Sequence, residues 1–227
     1  MNQVTKFLEQ KTPDLELSYL QIRRAVGVLG IALPIVIYLG AFIFSKCGVL
    51  EASISDYYYT IMGSVLVGIL CGVALFLFSY KGFNNWDRIA SNIACVCALG
   101  VAFFPTNITP DVVNCKIFSR PDDIIRNTIH YTSAALFFIT LACMSLFLFV
   151  RTANKSHMTN QKRKRNIVYK TCGVVMIVAI GIIASLKIKA IHDILGPYKP
   201  VFWLESVALW AFGISWLVKG EVLLTDN

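Results

Sequence analysis

Six long apolar stretches separated by short polar segments leave this chain little choice of fold. They run Ala25–Ser45, Tyr57–Tyr80, Ile89–Phe104, Asn127–Val150, Ile167–Leu186 and Val201–Val218. Crossing roughly 30 Å of hydrocarbon takes about 20 apolar residues as helix. In lipid every backbone amide must also find its partner within the protein. The pattern therefore predicts an all-α integral membrane protein, a bundle of six transmembrane helices. Composition agrees, because only 15% of the 227 residues are charged, whereas a soluble domain carries about 25%. The expected organisation is a cytoplasmic N-terminal segment over 1–22, a six-helix domain over 23–220 and a cytoplasmic tail over 221–227.

Lys and Arg set the orientation. With the N-terminus inside, fourteen of the 21 fall on inner segments and seven on outer ones, and the run Lys162-Arg163-Lys164-Arg165 lies inside. The positive-inside rule then favours both ends in the cytoplasm. The net charge of +8 belongs to these flanks, where it meets anionic headgroups, so nucleic acid is not an expected partner. Residues 1–22 are mixed and partly charged, with Pro13-Asp14 as a break. They lack the basic start and immediate apolar core of a cleavable signal, and the first apolar stretch is expected to stay as an anchor. A bacterial inner membrane is the expected location.

Cys71, Cys95, Cys97, Cys143 and Cys172 fall in or at the ends of spans, where cysteine behaves as a small apolar residue. Cys47 and Cys115 fall in the first two outer loops and are candidates for a structural disulfide if that side is oxidising. Gly68 and Gly72 form G-x-x-x-G in the second span, a signal for close helix packing. The segment Lys81–Arg88 reads as a tight helix hairpin anchored by Trp86 at the interface.

Ionisable groups inside spans are costly and mark functional candidates. Three share a side: Asp56 at the start of the second span, His130 in the first turn of the fourth, and Glu205 near the start of the sixth. They are expected at similar depth in the outer leaflet, with Ser55, Tyr57, Tyr131 and Trp203 as candidates for substrate binding. A His with two carboxylates suits general acid–base work or a divalent metal, but no metal-binding or nucleophile motif of fixed spacing accompanies them. No metal is therefore assigned, and the cofactor is left open. His157 reads as solvated, and His192 with Asp193 could join the site only if their loop folds over it. The same residues also fit structural roles: Ser55 or Asp56 as an N-cap, Glu205 paired with Lys199 or Arg126, His130 in an interhelical hydrogen bond, and the tyrosines and Trp203 in an aromatic belt.

Ile54-Ser55-Asp56 opens the second span, Val101-Ala102-Phe103-Phe104-Pro105 ends the third, and Ile129-His130-Tyr131-Thr132-Ser133-Ala134 opens the fourth. In this order they resemble the FRAG/DRAM/Sfk group of six-helix membrane proteins. Trp203-Leu204-Glu205 and Phe212–Gly220 are similar to the ending of small bacterial membrane proteins. The resemblance implies six helices and a role in membrane lipid remodelling, leaflet distribution or trafficking. The chain departs from the group at Phe104-Pro105, where eukaryotic members carry an amide. It also lacks the paired histidines of ceramidase-like hydrolases, so zinc is not carried over. The expected function is lipid handling through an outer-leaflet polar cavity, with membrane lipid as partner. The alternatives are a non-catalytic scaffold or regulator of a membrane-protein partner, working through the loop Arg151–Asn166, and a small-solute transporter.

Overall fold

The computed structural model describes residues 3–46, 48–80, 82, 84–108, 115–152, 158–186 and 195–224, with side chains from residue 19 onward. Among the described residues there are six α-helices: α1 (Gln3–Ser45), α2 (Gly63–Ser79), α3 (Asn85–Phe103), α4 (Ile124–Cys143), α5 (Asn160–Ser185) and α6 (Pro200–Lys219). A short 3-10 helix (Ser55–Tyr59) precedes α2, and a π-helical turn (Met144–Leu148) extends α4. Among the described residues there is no strand, only an isolated antiparallel bridge between Thr60 and Lys116. Five helices are long and apolar enough to cross a membrane, as in a multi-pass membrane protein, and α2 is apolar but shorter.

Each helix packs on its neighbours in sequence, and α6 closes the ring against α1. Successive helices run in opposite directions. One end of the bundle gathers residues 48–60, 104–108 and 115–123 with the start of α6, and is called the loop end. The other gathers Arg23, Arg24, Lys162, Arg165 and Lys219, and is called the basic end. There Arg24 Nε donates to the carbonyl of Gly220 at 2.8 Å and an Arg23 Nη to that of Lys219 at 3.4 Å. These bonds satisfy carbonyls that the end of α6 would otherwise leave unpaired. Trp216 is fully buried between the rings of Tyr80, Phe149 and Phe212.

Several expectations are corrected. The helix continues through Pro13, where a break is expected, since α1 runs unbroken from Gln3 to Ser45. The second apolar stretch is α-helical only from Gly63. Its first residues fold as the 3-10 helix and a turn, since Thr60 Oγ1 donates to the Tyr57 carbonyl at 2.8 Å and accepts from Met62 N–H. That leaves 17 residues of α-helix, about 25 Å in length. Neither Ser55 nor Asp56 caps it, because its N-cap is Met62, which makes no side-chain bond. The run Lys162–Arg165 lies on the first turns of α5 rather than in a loop, behind a Thr159 cap. Arg165 is buried there and donates to the Leu224 carbonyl at 2.7 Å. Gly68 faces open space and Gly72 makes only ordinary contact with Leu29. The close helix crossing lies instead at Gly27 and Gly213, between α1 and α6.

The hairpin before α3 closes with a reciprocal capping box between Asn84 and Asp87, and Trp86 stands exposed beside it. Lys81 and Phe83 of that hairpin lie outside the described residues, as do Lys155, His157, Lys187, Lys189, His192 and Asp193. Cys115 is disulfide-bonded, and Cys71, Cys95, Cys97, Cys143 and Cys172 are free. Cys47, the other half of the expected bridge, lies outside the described residues.

Candidate functional site

At the loop end the 3-10 segment enters the bundle as irregular backbone, so its polar groups need partners inside the protein. Side chains and backbone both supply them. Ile54 N–H donates to Glu205 Oε2 at 2.7 Å, one turn into α6. Phe202 N–H donates to the Ala52 carbonyl at 3.1 Å. Ser53 Oγ–H donates to Asp56 Oδ2 at 2.9 Å and accepts from Asp56 N–H at 3.1 Å. From the other side, Ile117 N–H donates to the Tyr59 carbonyl at 2.9 Å, and Tyr59 Oη–H donates to the Thr106 carbonyl. The segment is thereby held by α6, by its own turn and by the loop after α3.

His130, only 3% exposed, reaches this segment from α4. Its Nδ1 lies 2.8 Å from the carbonyl oxygen of Phe104 and its Nε2 3.0 Å from Ser55 Oγ. A carbonyl can only accept, so Nδ1 carries the proton and the neutral ring presents Nε2 as an acceptor. Ser55 Oγ–H therefore donates to Nε2. The loop that follows Phe104 is held in turn by Arg126. That guanidinium donates to the carbonyls of Pro105 at 3.2 Å and Pro121 at 2.8 Å and to Asn107 Oδ1 at 3.2 Å. Asn107 N–H in turn donates to Asn127 Oδ1 at 3.0 Å.

Ser55, His130 and Glu205 line one cavity of about 50 Å3. Its remaining walls are almost wholly apolar and come from α1, α2, α3, α4 and α6, with Tyr58 adding a phenol. Such a volume admits a few water molecules or the carbonyl end of a larger molecule. A second cavity of about 290 Å3 lies between α1 and α6 and is lined by Pro34, Tyr38, Trp203 and Trp210 among others.

Of the three ionisable residues singled out by depth, His130 and Glu205 face the same cavity, while Asp56 is buried and turned toward Ser53. Ser55 is brought onto His130, Trp203 lines the second cavity, and Tyr57 and Tyr131 line neither. Tyr57 is fully buried against Phe202, and Tyr131 sets its ring edge-on to His130. Glu205 pairs with neither Lys199 nor Arg126 but with the backbone of Ile54. Among the described residues no three His, Cys, Asp or Glu side chains come together as metal ligands.

The sequence does not point to the partnership of Ser55 with His130, because 75 positions separate them and no local motif joins them. It also does not point to Glu51, which is fully buried at this end. Both of its carboxylate oxygens lack a hydrogen-bond partner among the described residues.

Glu205 is expected to act by position. Glu205→Ala leaves the Ile54 N–H unpaired, a loss of about 1–3 kcal/mol for a buried donor without an acceptor. Glu205→Gln keeps an oxygen acceptor and recovers most of it. Thermal unfolding of the three proteins in one detergent checks this ordering, and equal midpoints for the two variants would sink it.

No protein-family model, curated protein or solved structure matches this chain.

Proposed function

We propose that this chain is a six-span protein of a bacterial inner membrane, with both ends in the cytoplasm, that takes an acyl-bearing lipid at the loop end. The observation that carries the reading is a cavity apolar on nearly every wall, with Ser55, His130 and Glu205 on one side. Ligand sites have this character, since apolar walls take up bulk and a few convergent polar groups orient it. The carbonyl end of an acyl ester fits a space of about 50 Å3, its oxygen toward the polar groups and its first methylenes against the apolar walls. The second cavity, at about 290 Å3, approaches the size of sites that hold small molecules, about 300–1,000 Å3. The basic residues at the opposite end support the orientation by the positive-inside rule. The short elements that resemble those of the FRAG/DRAM/Sfk group, with Asp56 and His130 as the matching residues, support lipid as the partner.

A phospholipid carrying a diazirine on its acyl chain, photolysed with the protein in nanodiscs, tests the reading. Cross-links are expected at Leu66, Leu70 and the Ala134–Phe138 turn. Ala134→Trp, which fills the cavity from α4, is expected to cut them about ten-fold, equivalent to 1.4 kcal/mol of binding. Cross-links spread evenly over lipid-facing side chains, and unchanged by Ala134→Trp, would overturn it.

A further inference from the structure

We propose that Ser55 and His130 are a nucleophile and its general base for acyl transfer, acting on the ester of a lipid. The substrate class rests on the cavity reading above, whereas the pairing rests on geometry alone.

Three features of that geometry meet what an activated serine requires. Ser55 Oγ stands 3.0 Å from His130 Nε2, within the reach expected of a base that takes its proton. The far ring nitrogen is tied to a fixed acceptor, the Phe104 carbonyl at 2.8 Å, which sets the tautomer and aims Nε2 at the hydroxyl. In a Ser-His-Asp triad a carboxylate does this; here a backbone carbonyl does, and Arg126 bonds the carbonyl of the next residue, Pro105. Finally, both residues line a cavity. A bond that served only to join α4 to the 3-10 segment would require no space beside it. The residues flanking Ser55 are pinned independently, Ile54 by Glu205 and Asp56 by Ser53, so the hydroxyl is presented by a rigid segment. Glu205 is in this scheme a positioning residue.

The chemistry balances without any further cofactor. Ser55 Oγ forms a bond to the ester carbonyl carbon, the carbonyl π pair moves onto oxygen, and the serine proton passes to Nε2. That pair then re-forms the carbonyl and expels the alcohol oxygen, which takes the proton back from Nε2. The products are a free alcohol and an acyl ester on Ser55. Water or a hydroxyl-bearing lipid then attacks the acyl carbon, giving its proton to Nε2. Collapse returns a proton to Ser55 Oγ and releases a fatty acid or a new ester.

An alkyl fluorophosphonate, applied to the protein in nanodiscs and followed by intact mass and peptide mapping, tests the pairing. One adduct on Ser55 is expected, none in Ser55→Ala, and a rate about 10²–10⁴-fold lower in His130→Ala, the usual span of a general base. Glu205→Ala, which leaves the Ile54 N–H without its acceptor, is expected to label more slowly than the parent, and Glu205→Gln, which restores an oxygen there, to recover most of that rate. Two probes, with ethyl and dodecyl chains, separate this proposal from the cavity reading. Labelling of Ser55 by the ethyl probe alone upholds the pair and removes the acyl lipid as its substrate. Labelling by neither probe, while the diazirine lipid still cross-links at the cavity in the same preparation, overturns the nucleophile and leaves the lipid site standing. Labelling that His130→Ala does not slow overturns the base.

Discussion

Gly213→Leu is expected to prevent α1 and α6 from closing the ring, and to produce the largest loss of stability of any single substitution in α6. A Cβ at Gly213 would lie 2.7 Å from the carbonyl oxygen of Gly27 and 3.1 Å from the backbone nitrogen of Ile31. A Cβ at Gly27 would lie 2.9 Å from the carbonyl of Gly213 in return. These are backbone atoms, which cannot step aside as a side chain can, so the helices themselves must separate. Inside a bilayer, where lipid tails are as apolar as leucine, close backbone packing does much of the work of holding helices together. Overpacking ordinarily costs about 1–3 kcal/mol, and displacing a helix pair belongs at or above the top of that range. The separation would also strain the bond from Trp210 Nε1 to the Ile31 carbonyl, now 3.3 Å, and loosen the second cavity. Gly68→Ala is the matched control, because its Cβ meets nothing within 4 Å. It should leave stability unchanged or raise it by up to about 1 kcal/mol through helix propensity. Unfolding midpoints in a single detergent decide the matter. Equal midpoints for Gly213→Leu and Gly68→Ala would show that the crossing does not hold the bundle.

The contrast between those two glycines shows what the sequence makes legible and what it does not. Apolar length identifies helices, and the six stretches correspond to α1 through α6. Spacing alone does not say which face of a helix meets a neighbour. Gly68 and Gly72 carry the familiar spacing but point away from close contact, while Gly27 and Gly213 lie 186 positions apart and meet. The start of α2 departs from the expected span for a related reason. Tyr57-Tyr58-Tyr59 is apolar enough to read as span, but Thr60 and the loops over it turn the backbone into a 3-10 helix. The candidate site divides in the same way. His130 and Glu205 stand out because charge is scarce in an apolar chain, and the structure sets both on one cavity. Ser55 is one of many hydroxyls and becomes distinctive only when α4 brings His130 to it. Asp56 has the charge that draws attention but spends it on the turn that presents its neighbour. Glu51 lies between the first two apolar stretches, and nothing local reveals that the fold closes over it.

That burial leads to the second large effect, a dependence of stability on pH that Glu51→Gln is expected to abolish. Burial pushes the Glu51 carboxyl from its ordinary value of 4.5 up to about 7. Asp56 adds to the rise, and Lys116 and Lys199 oppose it. The native protein therefore holds this proton to a higher pH than the unfolded chain does. Between about 4.5 and 7 the folded state binds more protons, so stability falls as pH rises through that window and levels off above it. The whole difference amounts to about 3 kcal/mol. A neutral glutamine of the same shape avoids the cost, so Glu51→Gln and the parent should have similar midpoints near pH 4.5. The variant should gain steadily up to about pH 7 and keep a constant lead beyond. Unfolding midpoints of both proteins from pH 4.5 to 8.5 measure this directly, and parallel curves would show that Glu51 does not titrate in the window. The consequence reaches the cavity as well. Glu51 precedes Ser55 by four residues on the segment that Glu205 pins, so ionising it in place loads the backbone that presents the serine hydroxyl to His130. The rate at which a fluorophosphonate labels Ser55 should therefore lose part of its pH dependence in Glu51→Gln, namely the part set by the segment rather than by the imidazole.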